Sequence, residues 1–271
     1  MVLRHDNEAL AEALIPVAQA AGQAILRHFA NGATATWKAD RTPVTQADTE
    51  AEVLILEALA RLFPDVPVVA EEQVAAGLIP PIGQRFFLVD PLDGTRPFLQ
   101  GSCDFTVNIG LVDGDRPIFG LIYAPAHGDL FVTVGSQTAV HLPLQPCAMP
   151  DDLRRASPLS ARRPNDTALV GLTSHSSYSD ATRDFMKHRG ISETIMMSSS
   201  LKFCALARGL ADVYPRFGPT SEWDTAAGQV ILEAAGGSVR CHDGRPLRYG
   251  KVDAGFINPG FIAVGREPVC A

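Results

Sequence analysis

The sequence lacks an excess of basic residues, because 23 lysines and arginines stand against 30 aspartates and glutamates, a formal net charge of −7 at pH 7. A protein that binds duplex DNA or RNA needs a basic surface to displace counterions, so this charge argues against a nucleic-acid polymer as the partner. The acidity also poses a question, since an acidic protein repels acidic ligands unless something reverses the sign of the local charge.

Paired cysteines and long apolar runs are missing as well. The five cysteines are odd in number, widely spaced and without a C-x-x-C motif, which favours reduced thiols over a disulfide framework or a zinc site. No run approaches the ~18 apolar residues of a membrane span, and the charged N-terminus lacks the apolar core of a signal peptide. We therefore expect a cytoplasmic protein with no transmembrane segment; peripheral association at the inner face of the membrane and the oligomeric state are left open.

The first half of the chain reads as α+β. Residues 8–29 and a segment from about Ala47 to Phe63 carry apolar side chains at helical spacing. The predicted buried positions are Leu10, Leu14, Val17, Ala21 and Ile25 in the first helix, and Val53, Leu56, Leu59 and Ala60 in the second. Short runs rich in β-branched and aromatic residues follow at 67–70, 85–90, 105–113 and 116–124, and the last two are predicted to form a hairpin.

The second half alternates between strands and helices. The Pro- and Arg-rich segment 142–167 is interpreted as an inter-domain connection or a surface excursion. Beyond it, strands are predicted near 168–173, 192–197, 211–214, 237–240 and 261–264, and helices near 179–189, 200–208 and 224–235. This alternation favours an α/β layer with a largely parallel sheet, so we predict two subdomains, 1–145 and 146–271.

The strongest chemical motif is Asp90-Pro91-Leu92-Asp93-Gly94-Thr95. An apolar strand ends at Asp90, and Pro91 is expected to turn the chain so that Asp93 converges on the same point. Gly94 lets a ligand approach the backbone, and free N–H groups at a helix start after it would bind an anion. Two carboxylates beside a phosphate cradle indicate Mg²⁺; an Asp-Gly turn with capping aspartates is the alternative.

Further candidates lie elsewhere in the chain. Glu71-Glu72 follow an extended run, where adjacent side chains point to opposite faces, so only one is expected to join a site. Asp224 is predicted to lie in the first turn of a helix, where Ser221-x-x-Asp224 resembles a capping box. Lys202, after a run of serines ending at Ser200, and Arg216, in a rigid turn, suit a phosphate ester. A capped helix and a solvated turn are the alternatives for these two.

In their order and spacing these motifs resemble the inositol monophosphatase superfamily of metal-dependent, lithium-sensitive phosphatases. The segments that carry the resemblance are Glu71-Glu72, Asp90 to Thr95, and Trp223-Asp224-Thr225-Ala226-Ala227-Gly228. Others are similar to the bacterial 3′(2′),5′-bisphosphate nucleotidase branch, namely Lys38-Ala39-Asp40, Pro43 to Asp48, Phe105 to Ile109, Ser199 to Cys204, Tyr214 to Thr220, and Asn258 to Phe261. Two segments depart from the family pattern and bear on substrate preference: Arg96-Pro97, usually Lys-Glu, and Leu172-Thr173-Ser174-His175, usually Ser-Arg-Ser-His.

The resemblance implies roles for individual residues. The implied ligands of two or three Mg²⁺ ions are Glu71, Asp90, the backbone carbonyl of Leu92, Asp93 and Asp224. Glu71 and Thr95 would hold or activate the attacking water, with Asp48 as the acidic partner of Thr95. The implied substrate contacts are Glu71, Leu92, Asp93, Gly94, Thr95, Ser200, Lys202, Arg216 and Asp224.

The resemblance also implies a fold and a reaction. The fold is a sugar-phosphatase-like layered α/β/α/β/α sandwich, with an antiparallel sheet in the first subdomain and the active site between the two. The reaction removes the 3′-phosphate of adenosine 3′,5′-bisphosphate to give AMP, with 3′-phosphoadenylyl sulfate of sulfur assimilation as a further substrate. An inositol or sugar phosphate phosphatase would use the same metal site, and a non-catalytic phosphate sensor is the alternative outside enzymes. Bound metal would reverse the sign of the local charge and so answer the question posed by the acidity.

Overall fold

The structure is a computed structural model, and it describes residues 6–38, 42–147, 153–164, 168–174 and 178–266. Within these ranges the chain forms seven α-helices and sixteen strands. The helices are α1 (Asn7–Asn31), α2 (Gln46–Leu62), α3 (Glu71–Ala75), α4 (Thr95–Leu99), α5 (Asp180–His188), α6 (Leu201–Ala207) and α7 (Ala226–Ala234). The first nine strands are β1 (Ala35–Trp37), β2 (Pro43–Thr45), β3 (Val68–Ala70), β4 (Arg85–Asp93), β5 (Thr106–Asp113), β6 (Arg116–Ala124), β7 (Asp129–Gly135), β8 (Thr138–Pro143) and β9 (Ser157–Pro158). The others are β10 (Val170–Thr173), β11 (Glu193–Met196), β12 (Val213–Arg216), β13 (Thr220–Ser221), β14 (Ser238–Cys241), β15 (Ile257–Asn258) and β16 (Phe261–Val264).

Two large sheets organise the molecule. Strands β3 to β9 form a seven-stranded sheet in chain order, in which β3 pairs with β4 in parallel and every later pair is antiparallel. The predicted hairpin of β5 and β6 is confirmed. The other sheet has the order β11-β10-β12-β16-β14, while β1-β2 and β13-β15 form small separate pairs.

The five-stranded sheet is mixed, so the prediction of a largely parallel sheet was wrong. Strand β10 is parallel to β11 and β12, but β16 is antiparallel to both β12 and β14. No α-helix lies between β14 and β16. A parallel return needs a crossover connection, usually helical, whereas an antiparallel return does not.

The layers follow the predicted α/β/α/β/α order. Helices α1 and α2 cover one face of the seven-stranded sheet, α6 and α7 lie between the sheets, and α5 packs on the outer face of the five-stranded sheet. Alternate residues of β4 serve the two faces: Phe87 and Val89 pack towards α1 and α2, whereas Phe86 and Leu88 pack towards the second sheet. The sheet is therefore buried on both sides, which explains its near-continuous apolar strands.

Helix α7 approaches the seven-stranded sheet very closely. A Cβ atom on Gly120 of β6 would lie 2.4 Å from the carbonyl oxygen of Ala227, so only glycine fits there. Across the layer, a Cβ atom on Gly228 would lie 2.4 Å from the ring of Phe203 in α6. This packing brings the start of α7, and with it Asp224, against the first sheet.

The buried face of α1 is confirmed, but that of α2 was predicted correctly only in part. Leu59 is buried and Leu56 packs against the core as predicted, whereas Val53 is 53% exposed and Ala60 is also exposed. The observed face contains Ala51, Ile55 and the polar Asp48 and Glu52 instead. Apolar periodicity therefore shifted the face, because these two carboxylates are buried for hydrogen bonds that the pattern does not register.

Several elements had no counterpart in the sequence prediction. The β1–β2 hairpin, β7 and β8 were not predicted, and β9 pairs with β8 so that part of the segment 142–167 returns to the first sheet. Residues 148–152 and 165–167 of that segment lie outside the described residues. The subdomain boundary after residue 145 stays a prediction.

Helix α1 corrects the expectation about membrane segments. By length and composition alone it is long and apolar enough to cross a membrane, although the sequence was expected to contain no such segment. In the structure 61% of its most apolar window is buried. Its packing against β6 and β7 accounts for that apolar character as the core of the protein.

Candidate active site

The Asp90–Thr95 turn owes its shape to an irregularity in β4. Pro91 was predicted to end the strand, but β4 continues to Asp93, and three steps along it match only two steps along β5. Residues three apart in a regular strand face opposite sides, so this extra residue puts Asp90 and Asp93 on the same side. Gly94 then adopts a φ of 100°, and a Cβ there would lie 2.8 Å from the carbonyl oxygen of Asp104.

A cavity of about 290 Å³ opens where the two sheets meet the turn. Its walls include ten of the residues singled out from the sequence, namely Glu71, Asp90, Leu92, Asp93, Gly94, Thr95, Ser200, Lys202, Arg216 and Asp224. Asp48 joins them through a 3.0 Å hydrogen bond that its Oδ1 accepts from Thr95 Oγ1. The structure therefore places the predicted site residues together, while their individual roles stay predictions. Ala39, Asp40 and His175 lie outside the described residues.

Three aspartates share one arrangement, in which a backbone N–H holds one carboxylate oxygen. Asp90 Oδ1 accepts from Leu92 N at 3.0 Å, Asp93 Oδ2 from Ser200 N at 2.6 Å, and Asp224 Oδ2 from Ser221 N at 2.9 Å. The other oxygen of each accepts no hydrogen bond from the described part of the chain. Burial, followed by repulsion from neighbouring carboxylates, raises the pKa of Asp90 and of Asp224 well above the usual range.

This donor set fits a hard divalent cation. Carboxylate oxygens fixed on one side and free on the other are the ligands that Mg²⁺ and Ca²⁺ prefer, and an added positive charge would relieve the repulsion that raises the two pKa values. In the positions given to the described residues, no three carboxylate, imidazole or thiolate groups are close enough together to hold a metal ion. Glu71, Asp90, Asp93 and Asp224 thus line the cavity without converging on one point.

Asp48 and Thr95 form a proton-bearing pair at the edge of the cavity. Asp48 belongs to the capping box of α2, where its Oδ2 accepts hydrogen bonds from the backbone N and the Oγ1 of Thr45 at 2.8 and 2.7 Å. Its other oxygen receives the Thr95 hydroxyl. Burial raises the pKa of Asp48, although the hydrogen bonds from Thr45 and Thr95 oppose that rise.

Lys38 is a site residue to which sequence reasoning assigned no role. Its Nζ lies 2.7 Å from both Glu71 Oε1 and Glu72 Oε1. The premise that the two glutamates lie on an extended segment was wrong, since they open α3 and both reach this one cation; only Glu71 lines the cavity. Burial raises the pKa of Glu71 while Lys38 opposes the rise. Lys38 and Glu71 are 33 residues apart, so no local sequence pattern indicates their contact; the segment Lys38-Ala39-Asp40 was noticed only through the family resemblance.

Helix α6 and strand β12 contribute cations held by backbone carbonyls. Lys202 Nζ donates to Ser199 O at 2.7 Å and Met197 O at 3.3 Å, and lies 5.0 Å from the centre of the Tyr214 ring. Burial lowers the pKa of Lys202 to about 8. Arg216 donates to Gly218 O at 3.3 Å and Pro219 O at 3.0 Å. Both side chains retain further N–H donors that these contacts do not use.

Asp224 was predicted in the first turn of α7, and this was wrong. The helix begins at Ala226, with Thr225 as its N-cap and no side-chain cap. Asp224 instead closes a turn onto Ser221 and lines the cavity. Because it precedes the helix, its free oxygen is available for a ligand rather than for capping.

A layered α/β/α/β/α sandwich that holds buried carboxylates beside a Gly-Thr turn has the architecture of a metal-dependent phosphatase. The chain belongs to the inositol monophosphatase family, whose model matches residues 6–261.

Within this family, the chain is similar to proteins of one kind, the CysQ nucleotidases. The chain is 37% identical over 248 residues to the 3′(2′),5′-bisphosphate nucleotidase CysQ of Escherichia coli O157:H7, covering 90% of this chain and 95% of that protein. It is 36% identical over 252 residues to the CysQ nucleotidase of Salmonella typhimurium, covering 92% and 97%. The crystal structure of CysQ from Bacteroides thetaiotaomicron matches with a TM-score of 0.80 and 31% identity, covering 96% and 98% of the two chains.

Proposed function

We propose that the protein is a Mg²⁺-dependent 3′(2′),5′-bisphosphate nucleotidase of the CysQ type, which hydrolyses the 3′-phosphate of adenosine 3′,5′-bisphosphate to AMP and phosphate. The main observation behind this proposal is that one cavity is lined both by carboxylates held by backbone N–H groups and by the cations Lys202 and Arg216. A substrate with two phosphates needs a site for each. Similarity to the CysQ nucleotidases over nearly the whole chain supports the same activity.

The free oxygens of Asp90, Asp93 and Asp224, together with Glu71 and the Leu92 carbonyl, would hold Mg²⁺, as two or three ions. When bound, Mg²⁺ supplies the positive charge that neutralises phosphate oxygens and favours ionisation of water. This would also reverse the local sign and let an acidic protein accept an acidic nucleotide. Both the residue assignments and the number of ions belong to the proposal.

The chain's own groups place the water and the phosphate. Thr95 Oγ1 lies 3.0 Å from Asp48 Oδ1 and 3.2 Å from the Leu92 carbonyl oxygen, and in the proposed reaction its single proton is donated to Asp48, which leaves its lone pairs to accept from the attacking water. Glu71 holds the second proton of that water and Asp48 takes up the released one through Thr95. The backbone N–H groups of Gly94 and Thr95 bind the scissile phosphate. The water oxygen bonds to phosphorus as the bond from phosphorus to the 3′-oxygen breaks; the 3′-oxygen takes a proton from solvent and leaves as a hydroxyl, and Asp48 returns its proton to solvent.

Lys202 and Arg216 would bind the phosphate that does not react. Lys202 lines the cavity from α6 and Arg216 from the end of β12, and both retain unused donors. An inositol monophosphate has no second phosphate and gains nothing from these cations. We further propose a cytoplasmic location, which the buried packing of α1 supports.

A substrate panel tests the assignment. Phosphate release is measured from adenosine 3′,5′-bisphosphate, 3′-phosphoadenylyl sulfate, inositol monophosphate and AMP, each with Mg²⁺, with Mg²⁺ plus Li⁺, and with a chelator. We expect the two 3′-phosphorylated nucleotides to be preferred, Li⁺ to inhibit, and chelation to abolish turnover. Preferential hydrolysis of inositol monophosphate would sink the nucleotidase proposal, and nucleotide binding without turnover under every condition would indicate a sensor.

A further inference from the structure

Two neighbouring side chains of β5 contact the turn that precedes α6. Thr106 and Asn108 are 0% and 1% exposed, and being two residues apart in a strand they point to the same side. Thr106 Oγ1 lies 2.6 Å from Ser199 Oγ and 2.8 Å from Ser200 Oγ, while Asn108 Oδ1 accepts from Ser200 Oγ at 2.8 Å. These polar groups therefore satisfy one another's hydrogen bonds.

The turn that they hold is strained. Ser199 has a φ of 60°, a left-handed conformation that a residue with a side chain adopts only at a cost. Such a conformation persists where its surroundings fix it, and the Thr106 contact with Ser199 Oγ is one of the interactions that do so. This conformation fixes the directions of the Ser199 carbonyl group and the Ser200 N–H group.

The strained turn reaches two parts of the cavity at once. Ser200 N donates to Asp93 Oδ2 at 2.6 Å, which orients the other oxygen, Oδ1, for a ligand. Ser199 O accepts from Lys202 Nζ at 2.7 Å, which orients the ammonium group. Asn108 Nδ2 also points at Asp93 Oδ2, at 3.4 Å. The turn thus links the carboxylate side of the cavity to its cationic side.

We propose that Thr106 and Asn108 are positioning residues that hold the Ser199–Ser200 turn, and through it orient Asp93 towards the metal and Lys202 towards the substrate. The inference rests on the proposed function, in which Asp93 is a metal ligand and Lys202 a substrate contact. Because one turn serves both, loosening it weakens Mg²⁺ binding and substrate binding together. Groups that orient metal ligands from outside typically change metal affinity 10–100-fold when they are removed.

The test removes one hydroxyl without changing shape. Thr106→Val is compared with the unaltered protein by calorimetric titration with Mg²⁺ alone and by steady-state kinetics with adenosine 3′,5′-bisphosphate. We expect Mg²⁺ affinity to fall about 10-fold or more, with KM rising in parallel, and Thr106→Ser to restore both values. Ser200→Ala, which loses the hydroxyl but keeps the N–H, is expected to shift both in the same direction and serves if Thr106→Val does not fold.

A matched control separates positioning from general destabilisation. Thr133 of β7 is also 0% exposed and its Oγ1 accepts from Gly120 N at 3.1 Å, but it does not line the cavity. Thr133→Val is expected to lower the unfolding temperature while leaving Mg²⁺ affinity unchanged. Equal loss of Mg²⁺ affinity in both valine variants would overturn the inference.

Asp93→Asn distinguishes failure of the inference from failure of the proposed site. Unchanged Mg²⁺ affinity in Asp93→Asn would show that Asp93 is not a ligand, and the proposed site would fail first. Loss of Mg²⁺ binding in Asp93→Asn, together with unchanged affinity in Thr106→Val and Ser200→Ala, would overturn the positioning role alone.

Discussion

The two regions that meet at the cavity supply side chains of different kinds. The first, residues 6–147, places carboxylates at the ends of regular elements: Asp48 at the start of α2, Glu71 at the start of α3, and Asp90 and Asp93 near the end of β4. The second, residues 153–266, places Lys202 near the start of α6 and Arg216 at the end of β12, and carbonyl groups of neighbouring turns accept hydrogen bonds from both. Both regions therefore use the ends of regular elements, but the groups proposed for hydrolysis are carboxylates, whereas those proposed for recognition are cations held by backbone carbonyls.

This contrast predicts a division in kinetics. Changes in the first region should lower kcat and metal affinity, because its carboxylates act on the reacting phosphate. Changes in the second region should mainly raise KM, since its cations contact the part of the substrate that does not react. Asp224 is the exception. It belongs to the second region, but as a proposed metal ligand it should affect kcat and metal affinity when it is changed.

The largest expected effect is on Asp90, in the first region. Asp90→Asn keeps the shape of the side chain but removes a charge from the proposed metal site, so we expect kcat to fall on the order of 10³-fold, equivalent to several kcal/mol of electrostatic stabilisation. Because burial and neighbouring carboxylates raise the pKa of Asp90, the neutral variant should also unfold at a higher temperature than the unaltered protein when both are assayed with a chelator.

Asp212, in the second region, is the matched control. It is 3% exposed and Asp90 is 1% exposed, but Arg162 lies 2.6 Å from Asp212 and Val170 N donates to it at 2.7 Å. Asp212→Asn is therefore expected to lower the unfolding temperature and to leave kcat nearly unchanged. If Asp90→Asn were destabilised as much as Asp212→Asn, Asp90 would not carry the unpaired buried charge by which we distinguish it from Asp212.

Local patterns in the sequence predicted most of the elements but not all of their pairings. The amphipathic face of α1, the β5–β6 hairpin and the alternation after residue 168 are each set within a few residues, and the structure has them. The mixed order of the second sheet depends on how β14 and β16 pair across an irregular segment, which periodicity does not describe. Strands β7 and β8 went unnoticed for a related reason, since a strand is recognised largely by its partner.

The site shows the same limit. Motif order predicted that Asp90, Asp93, Asp224 and Thr95 share one cavity, but reasoning from strand geometry misjudged how they come together. Asp93 reaches the side of Asp90 through an extra residue in β4 rather than a turn at Pro91. The contact of Lys38 with Glu71 spans 33 residues, and such long-range ion pairs are visible only after the chain has folded.

A smaller effect concerns the pH dependence of substrate binding by the second region. Burial lowers the pKa of Lys202 to about 8, so the ammonium group is charged below that pH and loses its proton as the pH rises through it. If the charged form binds the substrate phosphate, KM for adenosine 3′,5′-bisphosphate should rise about tenfold between pH 7 and pH 9. Because we expect kcat to depend mainly on the carboxylates of the first region, kcat should change much less than KM over this pH range.

Two substitutions locate that titration. Lys202→Arg keeps its charge throughout the range, so its KM should not show the rise above pH 8. Lys187→Arg, at an exposed position of α5, should retain the profile of the unaltered protein. A rise in KM that persisted in Lys202→Arg would assign the titration to another group and remove this support for the division of roles.

The smallest expected effect compares two buried glutamates outside the proposed ligands, Glu52 and Glu222. Glu52, in the first region, is 5% exposed and accepts a hydrogen bond from Glu72 N, and burial raises its pKa to about 6. The folded protein therefore holds this proton more tightly than the unfolded chain, so the free energy of unfolding falls as the pH rises from about 4.5 to 6. Glu52→Gln should remove that loss and stabilise the protein by about 1 kcal/mol at pH 7, with no gain at pH 4.5.

Glu222, in the second region, should respond in the opposite direction. Its carboxylate is fully buried, accepts from Gly250 N and Lys251 N at 2.7 and 2.9 Å, and lies 2.6 Å from Lys251 Nζ. Glu222→Gln would replace charge-assisted hydrogen bonds with weaker ones, so urea denaturation at pH 7 should show a loss of stability where Glu52→Gln shows a gain. A shift of the same sign in both variants would mean that burial alone, and not the presence of a paired cation, decides the cost of a carboxylate in this fold.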